Sequence, residues 1–185
     1  SSGVTGMSGF LPSDEHRAIE EAVQRICAKY DDSYWAETDE TGRFPEAFVT
    51  DMAEGGWLGT AMPEEYGGAG LGLVEASIVM RTVTQSGAGF SGASAIHLNI
   101  FGAKPIEKFG TEAQKQAWLP GVITGSDKMC FAVTEPNAGL ETSAITTRAT
   151  RTNDGWSITG RKIWTTSAQR ADKIMLLART TPREE

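Results

Sequence analysis

The sequence predicts an α+β protein, with an N-terminal all-α helical bundle domain followed by a small antiparallel β-sheet or barrel domain. Three observations predict it. Apolar residues recur at helical spacing up to about Gly125 and at strand spacing after it. The punctuation changes at the same place, from Gly and Pro breaks between long segments to the closely set "NDG" and Gly-Arg-Lys breaks of short ones. A 39% hydrophobic content with net charge -7 is an ordinary globular composition with material for a sizeable core. The expected division is a flexible leader over 1–10, a helical domain over 11–125 and a β-domain over 126–185.

The helical elements follow in order. "LPSDEHRAIEEAVQRICAKY" offers Ser13 as N-cap, acidic residues in the first turn, and Ile19, Val23, Ile26 and Tyr30 at helical spacing. "FPEAFVTDMAEGGW" starts at Pro45 and stops at Gly55-Gly56. "LGLVEASIVMRTVTQSGAG" and "SGASAIHLNIFGAKPIEKFG" are two more helices, rich in small residues that allow close helix contact; the second ends or kinks near Pro105. "TEAQKQAWLPGVITG" opens with Thr111 as cap and Glu112 in the first turn, then meets Pro120. About five helices with short connections make a bundle.

Strands are expected after that. "KMCFAVTEP" is a β-rich run closed by Pro136, and "AITTRATRT" alternates. Asn153-Asp154-Gly155 signals a hairpin, since Asp-Gly tolerates the positive φ of a type I′ turn. "WSITG", "RKIWTTSA" and "KIMLLART" complete four or five antiparallel strands. Such a sheet needs cover on its apolar face, and the helices supply part of it.

Charge and composition narrow the function. An acidic chain with no run of Lys or Arg argues against nucleic acid or an anionic membrane surface as main partner. No apolar run is long enough to span a bilayer. Cys27 and Cys130 lie far apart without CxxC spacing, which reads as two reduced packed thiols in a cytoplasmic protein. His16 and His97 have no ligand-like neighbours in sequence, so a metal centre is not expected.

Three motifs are candidates for chemistry. "PEEYGGAGLG" at 63–72 is Gly-dense, but it follows no strand and has no GxGxxG or GxxxxGK[ST] frame. It reads as a tight turn between packed helices, with Glu64 and Glu65 solvated. In "VTEPNAGLET", Pro136 and Gly139 fix an irregular turn beside Thr134. Its backbone N–H groups suit an oxygen-rich ligand, and a plain polar loop is the alternative. In "IWTTSA", Trp164 offers a flat face next to the hydroxyls of Thr165, Thr166 and Ser167. A single Trp usually serves a core. A Trp beside hydroxyls suits a flat heteroaromatic ligand, stacked on its face and hydrogen-bonded at its edge, such as an isoalloxazine.

The stretch "FAVTEPNAGLETSAITTRATRTNDGWSITGRKIWTTSAQRADKIMLLART" resembles the middle β-domain of the acyl-CoA dehydrogenase family. "GWLGTAMPEEYGGAGLGLVE" and "IHLNIFGAKPIEKFGTEAQKQAWLPGVITG" resemble that family's N-terminal helical domain. The resemblance covers the chain from about Leu11 onward. It implies an FAD flavoprotein of fatty-acid metabolism, a homo-oligomer that oxidises an acyl-CoA substrate and passes electrons to electron-transfer flavoprotein or a similar acceptor. It implies that Trp164 packs on the flavin ring and Thr166 bonds near N5 and O4. It also implies that 131–140, with Phe131, Val133, Thr134, Gly139 and Leu140, lines the flavin and its ribityl side, Val133 and Thr134 at the pyrimidine edge. Family members commonly carry Ser-Asp after "EPxxG", where the Ser meets acyl-CoA; here the substrate-side pair is Leu140-Glu141. The family's catalytic glutamate belongs to a C-terminal helical domain that these residues do not include.

The implied reaction is α,β-dehydrogenation of the thioester to the 2-enoyl-CoA. A carboxylate removes the α-proton and the β-hydrogen leaves as hydride to flavin N5. Such a site must stabilise enolate-like charge and exclude water. Two alternatives stay open on sequence. One is a flavin oxidase or monooxygenase on the same scaffold; the other is a non-catalytic module binding acyl-CoA or a partner.

Overall fold

In the computed structural model, which describes residues 13–182, seven α-helices precede four β-strands. The helices are α1 (Asp14–Cys27), α2 (Asp32–Thr41), α3 (Glu46–Glu54), α4 (Leu73–Gln85), α5 (Gly89–Phe101), α6 (Lys104–Phe109) and α7 (Glu112–Thr124). The strands are β1 (Met129–Ala132), β2 (Arg148–Thr152), β3 (Gly155–Thr159) and β4 (Lys173–Leu176). The leader expected over 1–10 lies outside the described residues.

Local chemistry accounts for the helix ends. The Ser13 hydroxyl accepts from the His16 amide and starts α1. Thr111 and Gln114 form a capping box that starts α7, satisfying two amides that have no partner inside the helix. Pro105 sits in the first turn of α6, where no amide hydrogen is needed, so the expected break becomes a separate short helix. Helix α2 was not expected. It buries only Trp35 and so shows no apolar period, and the Asp31 carboxylate caps it by accepting from the Tyr34 amide.

Ile19, Val23 and Cys27 of α1 turn inward onto α3 and α4, in one cluster with the fully buried Phe48, Met52, Val79 and Ile96. A second cluster joins Met62 and Tyr66 to Leu119, Val122 and Ile123 of α7 and to Met129 at the start of β1. The Gly-rich 63–72 stretch is the turn it was expected to be. Amides of Ala69, Gly70 and Leu71 donate back to the carbonyls of Gly59, Met62 and Thr60. A Cβ on Gly68 would lie 2.2 Å from the Met62 carbonyl oxygen, so the close approach requires glycine. Glu64 and Glu65 lie on a short 3₁₀ turn here.

The strands form two separate two-stranded sheets and differ from expectation in four ways. β1 pairs with β4 in parallel, Met129 against Lys173 through Ala132 against Leu176. β2 and β3 form the expected antiparallel hairpin. No closed barrel forms among the described residues. The hairpin loop is Asn153-Asp154, and neither has positive φ; Gly155, the first residue of β3, takes it at φ 152. The turn is therefore not type I′. Fourth, "RKIWTTSA" is not a strand, because Trp164 and Ser167 adopt positive φ and break any extended run. β2 also starts late. The amides of Thr146 and Thr147 donate to the Glu135 carboxylate and not to a ladder.

Polar links dock the sheet on the helices. Asn99 of α5 is buried and donates to the Val122 and Asp127 carbonyls at 2.9 and 3.0 Å. Lys128 Nζ meets Glu46 at 2.7 Å and lies over the Phe44 ring, and Lys173 Nζ meets Asp127 at 2.6 Å. Replacing Asn99 with Ala removes this donor from both carbonyls; that of Val122 keeps the Gly125 amide, while that of the half-buried Asp127 is left without a partner among the described residues. Asn99→Ala is expected to cost about 1–3 kcal/mol, read as a lowered midpoint in a denaturant melt with unchanged slope. An unchanged midpoint shows that water replaces the amide at no cost.

Candidate functional site

The site forms where two irregular segments, 133–135 and 162–167, meet beside α5. The Ile163 amide donates to the Thr134 carbonyl at 2.9 Å. Lys162 Nζ donates to the Val133 carbonyl at 2.8 Å and pairs with Glu135 Oε2 at 2.9 Å. Glu135 is 4% exposed, and the amides of Thr146 and Thr147 also donate to its carboxylate. Burial alone raises that carboxyl's pKa, but the hydrogen bonds from Thr146, Thr147 and Lys162 outweigh it and hold the group well below the usual carboxylate range. Glu135 thus ties the stretch before β2 to both segments.

This clamp presents Trp164 and Thr166. Trp164 stands at φ 58 and Ser167 at φ 63, a left-handed conformation costing about 1–2 kcal/mol for a residue with a Cβ. The Arg170 guanidinium donates to the Gly42 carbonyl, and its amide to the Ser167 carbonyl, fixing the far end of the segment on the loop after α2. Trp164 is nonetheless 85% exposed. Strain held at an uncovered indole and three residues after it points to a ligand face.

An open groove of about 340 Å³ is lined by Trp164, Thr166 and Phe131 on the sheet side and by Phe90, Ser94, His97 and Leu98 of α5. Of the residues expected at the site, Phe131, Trp164 and Thr166 thus come together. Val133 and Thr134 join them through backbone hydrogen bonds. Gly139, Leu140 and Glu141 do not line this groove; Leu140 is fully exposed, and Glu141 accepts from the Ser143 hydroxyl at 2.9 Å. No Asp or Glu lines the groove, and among the described residues no cluster of His, Cys, Asp and Glu is suited to a metal ion.

Sequence reasoning missed Lys162, Glu135, Ser94 and His97. Glu135 sits inside a quoted motif, but its partner Lys162 is 27 residues away and nothing local links them. Sequence reading weighed His97 only as a metal ligand.

Gly160 packs under the clamp. A Cβ there would lie 2.6 Å from the Thr147 Cα. Gly160→Ala must push β2 away from Glu135, and is expected to destabilise by about 1–3 kcal/mol, checked by thermal melt. A melt matching the parent shows that the hairpin moves freely there.

The acyl-CoA dehydrogenase N-terminal domain matches residues 13–126, and the acyl-CoA dehydrogenase middle domain matches residues 130–185. The chain belongs to the acyl-CoA dehydrogenase family. Acyl-CoA dehydrogenase FadE12 of Mycobacterium tuberculosis is 34% identical over 177 residues, covering 94% of this chain and 44% of that protein. The chain thus spans less than half the length of that acyl-CoA dehydrogenase. A glutaryl-coenzyme A dehydrogenase solved with glutaryl-CoA superposes with TM-score 0.85 at 30% identity, over 93% of this chain and 44% of that one. An acyl-CoA dehydrogenase of Bacillus anthracis complexed with FAD superposes with TM-score 0.81 at 26% identity, over 90% and 29%. FAD is the cofactor of this acyl-CoA dehydrogenase fold, and the groove fits such a group: an uncovered indole face, a second aromatic ring and a hydroxyl share one concavity. No helix among the described residues is long and apolar enough to cross a membrane.

Proposed function

We propose that the protein containing these residues catalyses FAD-dependent α,β-dehydrogenation of an acyl-CoA thioester. The observation that carries this is the uncovered Trp164, held on left-handed backbone in the same groove as Thr166 and Phe131, in a chain of this family. Bound FAD supplies the acceptor for the hydride that leaves the β-carbon. Trp164 would hold the ring by its face, and Thr166 would offer it a hydroxyl. Phe90, Leu98 and Phe131 keep water from the reacting carbons. Val133 and Thr134 set the register of these groups through Lys162 and Ile163.

The α-proton needs a carboxylate, and none lines the groove. Glu64, Glu65 and Glu141 lie on other surfaces, so the base comes from a part of the protein other than these residues. Electron-transfer flavoprotein or a similar acceptor as partner, a homo-oligomeric state, a role for 139–141 along the CoA arm and a cytoplasmic location belong to the same proposal. Relatives differ in acyl group, from butyryl-CoA to benzylmalonyl-CoA dehydrogenases.

The test is anaerobic mixing of the complete FAD-bound protein with saturated acyl-CoAs. Bleaching of the flavin with formation of 2-enoyl-CoA is expected. Stoichiometric oxygen consumption in air would assign an oxidase, and an unbleached flavin would end the dehydrogenase reading.

A further inference from the structure

We propose that Ser94 and His97 form a subsite for a carboxylate at the acyl end of the substrate. The inference deepens the dehydrogenase reading and rests on it. Phe90, Ser94 and His97 follow one another at helical spacing along a single outward stripe of α5. The opposite stripe, with Gly92, Ala93, Ile96, Asn99 and Ile100, is buried in the core, so α5 cannot roll to remove the polar pair from the groove. Phe101 packs on the His97 ring at 5.4 Å between centroids and fixes it against the helix. Among the described residues neither the Ser94 hydroxyl nor the His97 ring nitrogens have a hydrogen-bond partner.

The groove wall is therefore mixed in a specific way. Its other α5 residues, Phe90 and Leu98, are apolar, and Thr166 on the facing wall serves the ring's edge in the reading above. His97 is the one titratable side chain lining the groove. The α5 stripe lines the same groove as Trp164, so an acyl group lying along the ring in it meets Ser94 and His97. A methyl-ended chain there would cover a hydroxyl and an imidazole without replacing their water, which is unfavourable. A carboxylate accepts from both, with the imidazole N–H and the hydroxyl as donors. No carboxylate in the lining opposes it.

The experiment compares two 2-enoyl-CoA products of equal length, one ending in a methyl and one in a carboxylate, titrated into the complete FAD-bound protein. Enoyl products are not oxidised further, so perturbation of the visible flavin spectrum reports binding alone. The carboxylate-ended product is expected to bind about tenfold or more tightly, since a hydrogen bond to a charged group is worth at least that. In His97→Phe the preference should fall to about threefold or less, and in Ser94→Ala it should fall partway, with FAD content and melting temperature unchanged. Equal or tighter binding of the methyl-ended product, or a preference that survives in both variants, overturns the subsite and leaves the dehydrogenase reading intact. A flavin that neither product perturbs and neither saturated thioester bleaches overturns both.

Discussion

Glu135→Ala is expected to lower the melting temperature of the protein more than any other single change at this site. The carboxylate is buried, receives the Thr146 and Thr147 amides, and pairs with Lys162, whose own side chain is 9% exposed. Deleting it leaves a buried ammonium and two amides without their acceptor. Breaking one side of a buried pair costs about 3–5 kcal/mol, or about 6–20 °C at roughly 2–4 °C per kcal/mol for a domain of this size. The double variant Glu135→Ala/Lys162→Met should recover part of that loss, because the stranded charge goes with its partner.

The pH dependence follows from the same geometry. The folded-state pKa of Glu135 is depressed, so its stabilisation is fully present above the unfolded value, about 4.3, and is lost as pH falls toward the folded one. The gap in melting temperature between parent and Glu135→Gln should hold constant from pH 7 to about 5 and narrow below about 4. A gap that widens on acidification, or a Glu135→Ala melt within about 2 °C of the parent, contradicts the clamp.

How far the sequence carries this site depends on separation along the chain. Caps are local, and Ser13 and Thr111 were legible because cap and amide lie three residues apart. The helical half was legible for the same reason, except α2, where one buried Trp makes no period. The pairing of Trp164 with Thr166 was legible as a motif, since an aromatic and a hydroxyl stand two residues apart. Their backbone was not. "RKIWTTSA" has the β-branched and aromatic content of a strand, and local propensity favours one. Tertiary bonds from Lys162 and Ile163 to Val133 and Thr134 override that preference. The parallel pairing of β1 with β4 was hidden for a related reason: short apolar runs carry no sign of partner or direction. Ser94 went unremarked and His97 was weighed only as a metal ligand, because a polar stripe on a helix reads as solvated until the facing wall is known.

Trp164 and Thr166 should separate in experiment, because the proposed function gives them different jobs. Trp164 is almost uncovered, so its ring contributes little to the cofactor-free fold. Trp164→Ala opens no cavity, and its melting temperature without FAD should stay within about 2 °C of the parent. With FAD, half of a large aromatic surface is lost from the stack. At about 25 cal/mol per Å² over roughly 80 Å², that is about 2 kcal/mol, or about a thirtyfold weaker FAD affinity, measured by ultrafiltration and flavin fluorescence. Thr166→Val keeps the β-branched shape and removes the hydroxyl. FAD should then be retained near the parent level, because one exposed hydroxyl adds little to ground-state affinity. Its effect belongs to the step in which the ring's edge gains electron density. Loss of a hydrogen bond to developing charge costs about 1.5–3 kcal/mol, so flavin reduction by acyl-CoA in stopped flow should slow about ten- to a hundredfold. The assignment of Thr166 to the ring's edge fails if Thr166→Val reduces at the parent rate. The assignment of Trp164 to the ring's face fails if Trp164→Ala holds FAD as tightly as the parent.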